Sequence, residues 1–394
     1  MSSRSGLWRA MYSLAAALNT TVWSLYFSFT RLYIGVKLEG GIQAVLLITG
    51  LEWGFTLFAV MSGRLTSRVG GRGLVCLGAT GFLPFLIAMG VKSPFTLAVI
   101  LSLSSFTWAI SWPSILSAVF SNVRVSPGRA YSYFTVGTGV GFSVGSAFMG
   151  PLYALTGPEG VFLVIAIMYL TTYLIFAAFF PRGSDVRVRE GGELLSGSRS
   201  VLQRLILVLV ALSLTILARE ILYAVAPSKL SSELEKVITT SSELVKYTAF
   251  GVAYGGITAA LSIPARILAG RLTDRYNPLK IFMFTTVAYM FLYWSFVKSE
   301  GWISIALWQV SLYPFLDTAV NTYIAKHVPG EIMTSGFGAA ITFNAVGGLL
   351  ILPLLANPNL DMDFLGYAVT AATVLSITLV LMKLGLDRPH DYLH

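Results

Sequence analysis

The sequence is a train of apolar runs, each about 20 residues long, that begins near its first residue and continues almost to its last. A run of that length crosses a hydrocarbon core of roughly 30 Å at 1.5 Å per residue. Lipid offers no hydrogen bonds to a bare backbone, so each run has to be a helix. About twelve are recognisable, near residues 8 to 33, 41 to 61, 73 to 91, 95 to 120, 129 to 152, 160 to 180, 203 to 226, 246 to 269, 279 to 297, 302 to 325, 332 to 354 and 363 to 384. Composition leaves no soluble alternative. Hydrophobic residues make up 55% of the chain and charged residues 11%, with a mean hydropathy of +0.75, against roughly 45 to 50% and 25% in soluble domains. The expected fold class is an all-α membrane protein. Arg4 and Arg9 precede the first run as in a signal peptide, but the run is too long and no small-residue cleavage pattern follows, so it reads as an uncleaved helix.

The net charge of +9 does not gather into one basic patch, as nucleic-acid binding would require. It sorts by loop. With the N-terminus inside, 19 of the 27 Lys and Arg residues fall in inner segments and six in outer ones, leaving Arg31 and Arg219 within runs. That asymmetry obeys the positive-inside rule and places both termini in the cytoplasm of a multi-pass protein of the cell membrane. The single cysteine, Cys76, provides no disulfide framework, and His327, His390 and His394 fall in an inner loop or the tail, so no metal or cofactor is expected.

The chain also repeats itself. Ser62-Gly-Arg-Leu-Thr-Ser-Arg68 and Ala269-Gly-Arg-Leu-Thr-Asp-Arg275 lie 207 residues apart, each following one apolar run and preceding another. Trp112-Pro113 and Ser126-Pro127-Gly128 correspond to Tyr313-Pro314 and Val328-Pro329-Gly330 at offsets of 201 and 202. Pro113 and Pro314 fall inside the fourth and tenth runs, where a lost hydrogen bond permits a kink. A polar stretch rich in Gly, Ser, Arg and Glu separates six runs from six more. The expected organisation is a six-helix bundle over 1–180, a cytoplasmic linker over 181–202 and a second bundle over 203–394. The polar stretch at 228–242 is expected to form a short surface helix.

On these motifs the chain resembles the major facilitator superfamily, whose loop between helices 2 and 3 carries a Gly-x-Leu-x-Asp-Arg-x-Gly-Arg-Lys-like signature. Gly63, Leu65, Arg68, Gly70 and Arg72 match it, with Ser67 in place of the acidic residue and Gly71 in place of a basic one; Gly270, Leu272, Asp274 and Arg275 match in the second half, with Asn277 in place of a glycine. The resemblance implies twelve transmembrane helices in two pseudo-symmetric six-helix bundles. It also implies an inner gate at which the loop carboxylate meets a helix N-terminus, a contact favourable by roughly 0.3 to 1 kcal/mol. The gating candidates are Gly63, Arg68, Arg72, Gly270, Asp274 and Arg275; a merely solvated, positive-inside loop is the other reading. Only Asp274 keeps the charge, so Asp274→Asn is expected to perturb function more than Ser67→Ala. The glycines of the fifth run, Gly137, Gly139, Gly141, Gly145 and Gly150 before Pro151, are similar to a motif of the family's antiporters and lean the reading toward efflux. Close helix packing in lipid would use the same residues.

Polar groups inside the runs mark candidate sites, because an ionisable side chain at mid-membrane costs about 2.5 to 3.5 kcal/mol. Glu52 is the most central and is a candidate for proton coupling, since a desolvated acid can stay protonated until water reaches it; a neutral acid bonded to a neighbouring helix is the alternative. Gln309, Tyr313, Asp317 and Asn321 recur every fourth residue along the tenth run and are expected to face a cavity, with Asp317 as the second coupling candidate. Asn19, Trp23, Ser24 and Arg31 are cavity candidates of the first run, where Thr20, Ser24, Ser28 and Arg31 share one side. Arg31 lies far enough out to serve as a snorkelling anchor instead. Arg219 and Glu220 are adjacent, hence about 100° apart on a helix, and are expected to pair with other helices, Glu220 with Arg31 among the options. Trp108 and Trp112 join hydroxyls in a pattern suited to a sugar or an amphipathic molecule, although tryptophan is also an interface anchor.

The function that follows is secondary active transport of a small organic solute by a monomer, coupled to protons. Uptake or uniport of sugar-like or carboxylate solutes is the alternative. A membrane-embedded lipid-processing enzyme would need His, Cys, Asp or Glu clustered at one depth, whereas the acids here are scattered singly. No P-loop occurs, so ATP is not expected to drive transport within this polypeptide.

Overall fold

The computed structural model describes residues 2–122, 127–181, 193–239, 242–329, 332–355 and 361–386, and every regular element among them is helical. The first six runs are built from α1 (Ser2–Leu32), α2 (Gly41–Thr56), α3 (Ser62–Gly78), α4 (Leu83–Ala88), α5 (Pro94–Asn122) and α6 (Pro127–Ala178). The last six are built from α7 (Glu193–Val237), α8 (Glu243–Gly251), α9 (Ile257–Arg275), α10 (Pro278–Lys298), α11 (Gly301–Trp308), α12 (Tyr313–His327), α13 (Met333–Leu349), α14 (Leu352–Leu355) and α15 (Met362–Leu386).

Nine stretches among the described residues are long and apolar enough to cross a membrane. Two of them, Leu47–Ala88 and Gly137–Ala178, span 42 residues, which at 1.5 Å per residue is about twice the thickness of a hydrocarbon core. Each is divided by a glycine outside helical geometry, Gly70 at φ 74° and Gly157 at φ 67°. A residue with a Cβ takes that conformation only at a cost, and Pro158 also removes a donor just beyond Gly157. Each long stretch is therefore long enough for two crossings.

Four local expectations change. The repeated heptapeptides are not loops. Ser62 to Arg68 already lies in α3, ahead of the break at Gly70, and Ala269 to Arg275 forms the last turns of α9. The tenth run is not one helix with a proline kink: the chain leaves helical pattern after Trp308 and restarts at Tyr313, so Pro314 sits in the first turn of α12, where its missing N–H has no partner to lose. Pro113, by contrast, stays inside the continuous 29-residue α5. The polar stretch after residue 226 is no separate surface helix but the continuation of α7 to Val237. Residues 182–192 of the expected linker lie outside the described residues, and from Glu193 onward the linker is already α7.

The α7 extension is held by Glu233. Its buried carboxylate accepts from Lys229 Nζ at 3.0 Å and Lys236 Nζ at 2.9 Å, and from the backbone N–H of Gly301 at 2.6 Å, which opens α11 at φ 56°. Burial pushes this carboxyl up, but the Gly301 N–H and the two ammonium groups outweigh it and hold the carboxyl down at about 2, against an ordinary 4.5. A depressed carboxyl contributes stability above its unfolded value and loses it as pH falls toward the folded one. The melting midpoint of the wild type is therefore expected to fall more steeply between pH 5 and pH 2 than that of Glu233→Gln; equal slopes would rule the clamp out.

Glycine sets the two seams along which residues of the first six runs meet those of the last six. Along one seam, a Cβ on Gly338 would lie 2.6 Å from the Ala59 carbonyl oxygen, a Cβ on Gly348 would lie 2.6 Å from the Trp53 ring, and Thr342 donates to the Leu57 carbonyl at 3.2 Å. Along the other, Gly139 approaches Ala259, Gly251 approaches Ser146, Gly150 approaches Thr248, and Ser143 donates to the Gly256 carbonyl at 2.8 Å. Small residues let backbones close to these distances in lipid, where dispersion and interhelical hydrogen bonds hold helices together. Gly137, Gly141 and Gly145 occupy the opposite face of α6, against the backbone carbonyls of Ser13, Ala17 and Thr21 in α1. Each of the five fifth-run glycines thus has a packing partner.

The internal repeat is visible in one hydrogen bond made twice. Ser24 in α1 donates to the Phe142 carbonyl of α6 at 2.7 Å, and Ser213 in α7 donates to the Phe343 carbonyl of α13 at 2.6 Å. Beside the first bond Gly145 meets Thr21 and Ser24; beside the second Gly347 meets Ser213 and Ile216.

Candidate functional site

The inward face of α1 is not the one its hydroxyls suggested. Ser24 bonds to Phe142 and to Ser146 Oγ at 2.6 Å, and Ser28 reaches the same Ser146 at 3.4 Å, so the Thr20–Ser24–Ser28 side is buried against α6. A helix carbonyl at close glycine contact satisfies a hydroxyl as well as solvent does, and Ser24 is thereby removed from the cavity candidates. The face toward the other helices carries Asn19, Trp23, Tyr26 and Phe27, at helical spacing.

Glu52 is not a solitary acid. Arg31 of α1 reaches both its carboxylate oxygens, Nη1 at 3.1 Å from Oε1 and Nη2 in a shorter contact with Oε2, while the Tyr26 hydroxyl donates to Oε1 at 2.5 Å. The carboxylate is buried, and the guanidinium lies 4.6 Å from the Phe27 ring centroid and 5.6 Å from that of Tyr26. Arg31 is thus neither a snorkelling anchor nor a partner of Glu220. It makes a bidentate, aromatic-backed ion pair of the kind guanidinium geometry favours.

Arg219 and Glu220 pair with each other, contrary to the expectation from their angular separation: Nε lies 3.0 Å and Nη2 2.7 Å from Glu220 Oε1. The long guanidinium arm spans the 100° between adjacent positions. In a low-dielectric interior the nearest carboxylate attracts it most strongly. The two ion pairs share one corresponding position, because the 189-residue offset from Ser24 to Ser213 carries Arg31 onto Glu220. Nearby in the second half, Tyr254 stacks on Trp308 at 5.7 Å, and Trp308 meets Tyr223 of the same helix as the second pair edge-on at 5.7 Å. Trp308 donates its indole N–H to the Tyr254 carbonyl at 2.8 Å.

The tenth-run stripe divides at the break before Tyr313. Gln309 bonds to Ala253, Thr258 and Ile305, which fixes it against the packed helices rather than in a cavity. Asp317 and Asn321 form one unit, Asn321 Nδ2 donating to Asp317 Oδ1 at 3.0 Å. Tyr313 lies beneath a cation absent from the sequence candidates: Arg266 of α9 is 3% exposed and sits 4.7 Å from the Tyr313 ring centroid. The signal was available, since Arg266 falls inside an apolar run as Arg31 does.

Trp108 and Trp112 stack on each other at 5.8 Å, and Trp23 meets Trp108 edge-on at 6.2 Å. At the inner end, a Cβ on Gly63 would collide with Ser335 of α13, Ser67 donates to the Arg64 carbonyl of its own helix at 2.7 Å, and Arg68 and Arg72 are exposed. On the other side Gly270 is buried, Asp274 is half-buried, Arg275 lies over Tyr276, and Lys326 Nζ donates to the Thr273 carbonyl at 2.9 Å.

A duplicated set of membrane helices thus encloses paired charges and aromatic rings in each half of the chain. The sequence profile described as Major Facilitator Superfamily matches residues 12–352, and the chain belongs to that family. It is a membrane transporter, not an enzyme. Comparison with curated proteins gives no match. Among solved structures it is similar to the E. coli fucose:proton symporter FucP, with a TM-score of 0.68 and 14% identity over 96% of this chain and 98% of that one. It is similar to the nucleoside transporter NupG at a TM-score of 0.67 and 12% identity over 95% and 98%. A bacterial homologue of the iron transporter ferroportin gives 0.66 and 15% over 96% and 99%.

Proposed function

We propose that the protein is a secondary active transporter that moves a small organic solute across the cell membrane by alternating access, with protons as the coupling ion. In this reading residues 1–180 and 203–394 are two bundles that rock as a monomer about a central site, both termini lie in the cytoplasm, and Asp274 with Arg275 gates the inner end. The observation that carries it is the pair of Arg–carboxylate contacts, Arg31–Glu52 between the first and second runs and Arg219–Glu220 within the seventh, with Arg31 and Glu220 at corresponding positions of the repeat. A carboxylate that must leave a guanidinium before it binds a proton ties protonation to helix movement, which is what coupling requires. FucP is a proton symporter by its description, and the same coupling is carried here as part of the proposal. The fifth-run glycines have packing partners, so the reading takes either direction of net transport.

The test is flux in proteoliposomes over a panel of sugars, nucleosides, carboxylates, amino acids and organic cations, with and without an imposed pH gradient. Flux is expected to follow the gradient in the wild type and to lose that dependence when Glu52→Gln and Asp317→Asn are combined. Flux that ignores the gradient and survives both substitutions would identify a uniporter.

A further inference from the structure

The first repeated heptapeptide carries cations without an anion. Arg64 and Arg68 lie one turn apart on the same face of α3, and Arg72 follows the break at Gly70. All three are exposed, and their side chains form no ion pair, hydrogen bond or ring contact among the described residues. No Asp or Glu occurs between Glu52 and Glu159. The second copy differs on this point: Asp274 stands in the place of Ser67, and Arg275 lies over the Tyr276 ring. The arginines also point away from the protein. Ala59, Ser62 and Gly63 pack against α13, and Thr66 Oγ1 meets Ser114 Oγ of α5 at 3.1 Å. Helical spacing puts Arg64 and Arg68 on the opposite side, with Val60 and Met61, whose apolar side chains are exposed one turn before Arg64. One turn after Arg72, Cys76 and Leu77 are exposed in the same way. The guanidinium groups thus stand where lipid-facing apolar surface gives way to polar surface, the depth of the headgroups.

We propose that Arg64 and Arg68, with Arg72 beside them, bind the phosphate of an anionic phospholipid, so that the membrane supplies the anion this heptapeptide lacks. The proposal rests on the orientation given above only for the leaflet, which is then the cytoplasmic one. A guanidinium receives a phosphate through two parallel N–H bonds. Two guanidinium groups at this spacing, with Cβ atoms about 5 to 6 Å apart, can share one phosphodiester. Charge and apolar surface together select the ligand. A zwitterionic headgroup brings an ammonium that the guanidinium groups repel, and a free phosphate would leave Val60 and Met61 uncovered, whereas acyl chains cover them. Ser67 does not compete for the arginines, because its hydroxyl is donated to the Arg64 carbonyl.

The test is native mass spectrometry of the detergent-purified full chain titrated with phosphatidylglycerol, with phosphatidylcholine and inorganic phosphate in parallel, together with lipid-free melting curves. Phosphatidylglycerol is expected to bind about tenfold more tightly than phosphatidylcholine. Arg64→Gln combined with Arg68→Gln should remove that preference, each guanidinium being worth about fivefold. Arg271→Gln combined with Arg275→Gln takes the same charge from the second copy and is expected to cost clearly less. Ser67→Asp removes no cation but sets a carboxylate beside the two guanidinium groups; it is expected to weaken phosphatidylglycerol binding about fivefold while the melting midpoint stays in place. The proposal is overturned if the two lipids bind alike, if the second-copy variant loses as much as the first, or if Ser67→Asp binds as the wild type does. Displacement of the lipid by inorganic phosphate at equal concentration also overturns it, because the site then holds a soluble anion. Should the double arginine variant melt below the wild type, the Ser67→Asp comparison decides alone. Detergent gives lipid equal access to both ends of the protein, so absence of binding counts against the site and leaves the orientation and the transporter reading standing.

Discussion

Gly141→Val is expected to yield little or no folded protein, whereas Gly54→Ala, the same kind of change in another membrane helix, should fold at least as well as the wild type. A Cβ on Gly141 would overlap the Ala17 carbonyl oxygen and lie 2.7 Å from Thr20 Oγ1. The first of these is backbone and cannot rotate away. Overpacking of that kind costs about 3 kcal/mol or more, because one helix must move off the other along its whole contact. At Gly54 nothing lies within 4 Å, so alanine adds only its better helix propensity, worth about 0.5 to 1 kcal/mol. Size-exclusion profiles and melting curves of the two variants, prepared in parallel, decide the matter; equal behaviour would mean that α1 and α6 do not meet as described.

The second large effect concerns Arg31. Arg31→Leu strands the Glu52 carboxylate at 7% exposure with only the Tyr26 hydroxyl as partner. Breaking a buried ion pair from one side costs about 3 to 5 kcal/mol, and the lower end applies because the Arg31 side chain is 21% exposed. Adding Glu52→Leu removes the uncompensated charge. The double variant should therefore regain stability to within about 1 kcal/mol of the wild type, as buried pairs replaced by apolar residues often do. Gradient-driven flux should not return, since the group that exchanges partners is gone. Melting midpoints together with proteoliposome flux of both single variants and the double one test this. A double variant as unstable as the worse single would show that the pair is not what either substitution disturbs.

Much of the architecture was legible from residue order. Run length alone demanded membrane helices, and the 207-residue repeat predicted the duplication that Ser24 and Ser213 make visible as equivalent hydrogen bonds. The site was less legible, for identifiable reasons. Hydroxyls and aromatics recur with helical period on both faces of α1, and period does not say which neighbour each face meets; Ser24 left the cavity candidates on that account. Arg31 and Glu52 stand 21 residues apart and meet only because the π turn at Tyr33–Lys37 and the positive φ of Glu39 bring α2 back at that register. Arg219 and Glu220 joined through side-chain reach, which backbone angle does not limit. At the tenth run, Pro314 fits a kink and a restart equally well, and the choice decided where Gln309 faces.

The duplicated serine bond also says where movement can occur. With Ser24 fastened to Phe142 and Ser213 to Phe343, the first and fifth membrane helices of each half are riveted mid-span, and the adjoining Gly145 and Gly347 leave no slack for sliding. On the alternating-access proposal each half would move as a stiff lever, and the stroke would fall on the glycine-lined seams, which hydrogen bonds such as Thr342 to Leu57 and Ser143 to Gly256 bridge. If the halves rock as proposed, they are two rigid arms turning on these seams, so substitutions at the rivets would blunt the whole stroke, whereas those along the seams would change how readily it turns over.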